Sequence, residues 1–153
     1  MKTHQKVKYI AILLSLTFLL VACGKDTGIS AKKYDFYTRL KEVEAVVNPM
    51  SKTLTEDMYI SQTEMNELSG EIFAEWQAFM DEILVALEDN LSKKDYKALL
   101  EEQEIWQEEA KAEVEAYVAG FGDGSMAPLL YNMEMEEKLQ FRVYDLANYF
   151  SRP

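Results

Sequence analysis

Carboxylates dominate the reactive groups of this 153-residue chain, with 27 aspartates and glutamates against 16 lysines and arginines. Glu101, Glu102, Glu104, Glu108, Glu109, Glu113 and Glu115 crowd one stretch. Two carboxylates at the separation used for glycoside hydrolysis could be drawn from such a run by chance. No spacing singles out one pair, and on a helix most of these positions face solvent, so no catalytic residue is assigned. Nucleophiles and metal ligands are scarcer: the chain has one cysteine, Cys23, and one histidine, His4. Asp123 stands in a glycine-rich stretch without the regular oxygen ligands of a calcium loop. No metal, cofactor or enzymatic activity is expected.

Both scarce residues lie in the opening "MKTHQKVKYIAILLSLTFLLVACGKD". Lys2, Lys6 and Lys8 precede an apolar run from Ile10 to Ala22, broken only by Ser15 and Thr17, which is the layout of a secretory leader. The run is shorter than the roughly 20 residues of a stable membrane-spanning helix. Leu20-Val21-Ala22-Cys23 resembles a bacterial lipobox, in which cleavage precedes a cysteine that then carries lipid. The expected organisation is a signal peptide over 1–22, a lipidated tether over 23–30 and a helical domain over 31–153. Two acyl chains of roughly fifteen methylenes, at about 0.8 kcal/mol per buried CH₂, would hold the domain firmly on the outer face of the cell membrane.

Processing of that kind removes His4 and consumes Cys23. Serine–histidine and cysteine–histidine catalysis, and imidazole-bound zinc, go with them. Without Lys2, Lys6 and Lys8 the balance is 13 basic against 27 acidic residues, a net charge of −14. Nucleic acid and anionic lipid are poor partners for such a surface, whereas cationic proteins are steered toward it. A solvated acidic surface that only maintains solubility is the alternative.

The elements that must position any site are helical. Phe36, Leu40, Val43 and Val47 predict a helix from Ala31 to Val47, ended by Asn48-Pro49 because proline disfavours a helical residue before it. Residues 50–60 read as a loop or short turn. Ser61 and Glu64 form a capping box ahead of Met65, Leu68, Ile72, Trp76, Phe79, Ile83 and Leu87. Ser92 caps a third helix, with Asp95 in its first turn, running to about Ala119. Gly120, Gly122 and Gly124 stop it. Ser125 is expected to cap a last helix with Pro128 in its first turn and apolar positions at Leu129, Met135, Leu139, Val143 and Leu146. Strand patterns are lacking, so the fold class is all-α: a small antiparallel bundle of about four helices.

Two polar residues fall on inner faces. Gln103 lies in register with Tyr96, Leu99, Trp106 and Ala110, and Arg142 with Met135, Leu139, Leu146 and Tyr149. A charge facing a core costs several kcal/mol unless paired, and an amide also needs partners. One reading places Gln103 and Arg142 on facing helices, the amide oxygen accepting from the guanidinium and Asp81 or Asp95 balancing the charge, so that the pair penalises helices that slip by a turn. The other has Gln103, Trp106 and Arg142 lining a groove that binds a partner.

At these residues the chain resembles the lysozyme inhibitor LprI-like domain of bacterial envelope proteins. The likeness rests on Leu99-x3-Gln103-x2-Trp106 after Ser92, on "GDGSMAPLLY" from Gly122 to Tyr131, and on Arg142-x3-Leu146, covering roughly Met65 to Phe150. It implies a helical, secreted or lipid-anchored domain that binds a cationic protein, lysozyme above all. Gly122, Asp123, Gly124 and Ser125 are then the candidate contact loop; the plainer reading is a connection whose glycines supply left-handed backbone angles. The chain departs from the family at Ala110 and Lys111, where an Arg-Asp pair is usual, and at Leu139, where a threonine is usual. Val114 and Glu134 stand where the family's cysteine pair would fall; loss of a loop-closing disulfide costs about 2–5 kcal/mol. An envelope module that binds another membrane protein is the alternative function.

Overall fold

The helical spacing is realised in four α-helices: α1 (Phe36–Glu56), α2 (Gln62–Glu88), α3 (Lys93–Ala119) and α4 (Ala127–Ala147), followed by a short 3-10 helix over Asn148–Ser151. The computed structural model describes residues 34–151, and no strand occurs among them. The leader, Cys23, the tether and the expected start at Ala31 lie outside the described residues.

Local chemistry accounts for most helix starts. Asp35 accepts from the Thr38 backbone N–H at 3.2 Å and from its hydroxyl at 2.7 Å. Ser61 and Glu64 close the expected capping box, with Glu64 N–H to Ser61 Oγ at 3.3 Å and Ser61 N–H to Glu64 Oε2 at 2.9 Å. Ser92 Oγ accepts from the Asp95 N–H at 3.2 Å. These contacts satisfy amides that the first helical turn leaves without intrahelical partners.

Two sequence expectations fail here. Pro49 does not end α1; it lies inside it, and residues 50–56, expected as loop or short turn, continue the helix. Proline removes one i→i−4 bond, but Met50 and Leu54 continue the stripe beyond Val47 and pack against the core. Burial of two such side chains, roughly 1.5–3 kcal/mol each when complete, offsets one lost bond. Nor does Ser125 cap α4. Met126 holds that position without a side-chain bond, and the Ser125 carbonyl instead accepts from Asn66 Nδ2 at 2.9 Å. The Ser125 backbone thus ties the start of α4 to α2.

Long-range pairs give the topology. Phe36 stacks on Phe79 while Thr53 faces Leu68 across a surface recess, so α1 and α2 are antiparallel. Asn66 meets Ser125 and Ser69 meets Asn132, so α2 and α4 run in the same direction. Glu113 pairs with Lys138, and Gln103 with Arg142, so α3 opposes α4. The broadest contact joins α2 to α4, with α1 on the flank of α2 and α3 on the flank of α4. Ile72, Phe79, Met80, Ile83 and Leu87 of α2 and Leu139, Val143 and Leu146 of α4 form the core of this up-and-down bundle. No described helix is long and apolar enough to cross a membrane.

The arrangement sorts the connections. The α1–α2 and α3–α4 turns share one end of the bundle. The start of α1 lies at the other, beside the 3-10 helix, where Tyr34 stacks on Phe150 at 5.1 Å between ring centroids.

Candidate functional site

Helical register brings Gln103 of α3 and Arg142 of α4 together. Arg142 Nε donates to Gln103 Oε1 at 2.7 Å, and Gln103 Nε2 lies 3.3 Å from the Met80 sulfur of α2. The balancing carboxylate is neither Asp81 nor Asp95. Glu102 takes the role, its Oε1 2.8 Å from Arg142 Nη1. Asp81 accepts from Gln77 and Asp95 from Ser92, each on its own helix or cap. Glu102 wins because it adjoins Gln103 at the rim of the α3–α4 seam, where a half-exposed carboxylate stays partly hydrated while the guanidinium is sealed.

Trp106 completes the cluster, its ring centroid 5.5 Å from the Arg142 guanidinium carbon. A cation over an aromatic face gains about 0.5–2 kcal/mol, more when desolvated. Tyr149 also donates to Glu102 Oε2 at 3.1 Å. Gln103 is 4% exposed and Arg142 6%. At that burial they present no open groove; the edge of the half-buried Trp106 and the Glu102 carboxylate are the accessible parts. Arg142 Nη2 is buried without a hydrogen-bond partner, so the cluster is not fully satisfied.

The departures from the family pattern also have places. Ala110 and Val114 are buried on the inner face of α3, and Leu139 is in the core. Lys111 lies outside, paired with Glu115 at 3.7 Å. Apolar packing thus occupies Val114, near which the resemblance would put one cysteine.

The candidate loop, Gly122 to Ser125, projects from the end shared by the two turns. Gly122 has φ +80°, a value that side chains other than glycine rarely adopt. A Cβ added to Gly122 or Gly124 would meet nothing within 4 Å, so Gly122 serves the turn through its backbone angle, and neither glycine is required by a close approach within the chain. Asp123 and the Ser125 side chain are exposed.

Sequence reasoning missed the apolar residues around this loop. Tyr117 and Phe121 pack ring to ring at 5.1 Å, and both are exposed, as is Met126. Met58 and Tyr59 are exposed on the neighbouring turn. For Met58, Tyr59, Phe121 and Met126 the available signal was their position, large apolar residues in turns, whereas Tyr117 lies in the last turn of α3.

Two carboxyls away from this end titrate abnormally. Hydrogen bonds from Arg39 hold Glu82 below the usual carboxylate value, against the opposing effect of burial. The Arg39 Nη2 to Glu82 Oε2 distance is 2.7 Å, and Tyr34 donates to the same carboxylate at 3.1 Å. Glu136 goes the other way, raised above 4.5 by burial, although Gln140 Nε2 donates to its Oε1 at 3.0 Å. A raised folded-state value means that its contribution is intact below the unfolded value and is lost as pH rises through the folded one. Glu136→Gln is therefore expected to be more stable than wild type at pH 7, with the difference shrinking below the unfolded value of 4.5. Thermal melts at pH 7 and pH 4 check this; a variant less stable at pH 7 would contradict it. Glu82 has the opposite sign, stabilising above its unfolded value and losing that contribution in acid.

Fold and site together define a small all-helical module with a sealed polar cluster at one seam and two exposed loops at one end. Residues 55–146 match the family described as lysozyme inhibitor LprI, and the chain belongs to that family. The match begins before Met65 and so takes in both loops of the shared end. Neither the curated proteins nor the solved structures contain a match.

Proposed function

We propose that this protein is a lysozyme-inhibitor-like binding module, held outside the cytoplasm by lipid on Cys23, that captures a cationic protein. Family membership over residues 55–146 carries the reading, because it names lysozyme as the class of partner. The acidic balance of the chain agrees with it. An excess of carboxylates accelerates encounter with a basic enzyme and discourages nucleic acid and anionic lipid. The contact loop in this reading is Gly122 to Ser125, whose glycines let a narrow segment enter a cleft. The module acts by occupying its partner and not by chemistry of its own.

The purified protein is expected to inhibit a c-type lysozyme at micromolar concentration in low salt. Inhibition should weaken as added salt shortens the screening length from about 30 Å at 0.01 M to about 8 Å at 0.15 M. A lysozyme assay over that salt range is the test. Full lysozyme activity at micromolar protein in the lowest salt would remove lysozyme as the partner.

A further inference from the structure

We infer that the partner is gripped by two loops, the second being the α1–α2 turn, where Met58 is exposed and Tyr59 lines an acidic recess that receives a basic side chain. This rests on the reading of the protein as a binder of a cationic protein and adds to it a surface and a ligand group.

Met58 is 88% exposed and Tyr59 92%. Two such side chains at the tip of a helical hairpin gain nothing from the fold. The turn that carries them is nevertheless held. The Asp57 N–H closes α1 on the Thr53 carbonyl at 3.1 Å, the Tyr59 N–H donates to Asp57 Oδ1 at 2.9 Å, and the Ser61 capping box starts α2 immediately after. An exposed aromatic on a pre-set backbone loses little conformational entropy on binding, which is the property of an anchor residue.

Beside Tyr59 lies an open recess of about 320 Å³, lined by Leu68 and the carboxylates of Asp57, Glu64, Glu67 and Glu71. None of the ion pairs among the described residues engages these four acids; Asp57 and Glu64 accept hydrogen bonds that hold the turn, which leaves Glu67 and Glu71 to meet the incoming charge. Leu68 and the Tyr59 ring suit the aliphatic stem of lysine or arginine, and the carboxylates suit its charged head. An acidic or anionic-lipid occupant would meet uncompensated repulsion. Charge complementarity therefore commits the recess to a basic side chain of a protein partner.

The recess and the Gly122–Ser125 loop belong to one end of the bundle, joined by the 2.9 Å bond from Asn66 to the Ser125 carbonyl. Phe121 and Met126 extend the apolar surface there. Two loops separated in sequence thus offer a contact larger than either alone.

The test uses full-length protein in mild detergent, with binding to a purified c-type lysozyme measured by titration calorimetry at low salt. Two double variants are compared with wild type: Met58→Ser with Tyr59→Ser, and Glu67→Gln with Glu71→Gln. All four side chains are surface groups, and circular dichroism melts verify the fold. Each double variant is expected to bind about tenfold or more weakly. Wild-type binding with both variants within about threefold of it would overturn the two-loop surface and leave the proposed function standing. Absence of wild-type binding would overturn the proposed function and this surface with it.

Discussion

Replacing Arg142 by alanine is expected to destabilise the bundle by about 3 kcal/mol, because three losses coincide. Gln103 Oε1, which now accepts at 2.7 Å, becomes a buried acceptor without a donor. The cation over Trp106 disappears, and the aliphatic stem leaves a void between α3 and α4. Glu102 contributes less to the penalty, since its side chain is 52% exposed and rehydrates. For a domain of this size the melting temperature should fall by roughly 10 °C.

The companion experiment separates net stabilisation from dependence. Gln103→Leu alone strands the guanidinium Nε in the core and should cost about 3–5 kcal/mol. Gln103→Leu combined with Arg142→Met fills the same space with apolar atoms and should return to within about 1 kcal/mol of wild type. Denaturant melts of Gln103→Leu, Arg142→Met and the pair give the coupling directly. A double variant as unstable as the sum of the singles would mean that the cluster stabilises the fold outright instead of specifying its register.

Phe79→Ala is expected to cost about 3–5 kcal/mol, the range for a buried phenylalanine truncated in a core that cannot fully collapse. Phe79 is 1% exposed, stacks on Phe36 of α1 at 5.7 Å and packs at 6.3 Å from Trp76. Phe36 in turn meets Tyr144 of α4 edge-on at 6.0 Å. The ring therefore fastens α1 to the α2–α4 pair, and its loss should loosen α1 first. Hydrogen exchange should then show the amides of α1 losing protection ahead of those in α4. Equal loss in all helices would show instead that α1 has no separate unfolding step.

Much of this architecture is legible in the order of residues. The four helices follow from apolar positions three and four apart, and the starts of α2 and α3 from Ser61 with Glu64 and Ser92 with Asp95. Those signals act within one helical turn, so neighbours along the chain carry them. The sequence put Gln103 and Arg142 on inner faces and left two readings, a mutual contact or a groove; the 2.7 Å bond between them comes from the structure. The lipobox at Cys23 is a sequence reading throughout, outside the described residues.

What local order did not reveal depended on energies summed across the fold. Pro49 opposes helix locally, yet burial of Val47, Met50 and Leu54 carries α1 through it. Glu102, not Asp81 or Asp95, balances Arg142 because the crossing of α3 and α4 decides which carboxylate reaches the seam. Ser125 loses its expected cap and its carbonyl binds Asn66, 59 residues away. The meeting of the two exposed loops has the same origin. Residue order alone set most of the helix positions and their inner faces, since each is a property of a single turn. The tertiary structure chose the partners of the buried charge and brought the α1–α2 and α3–α4 turns to one end, since both require residues far apart in the chain to share one small volume.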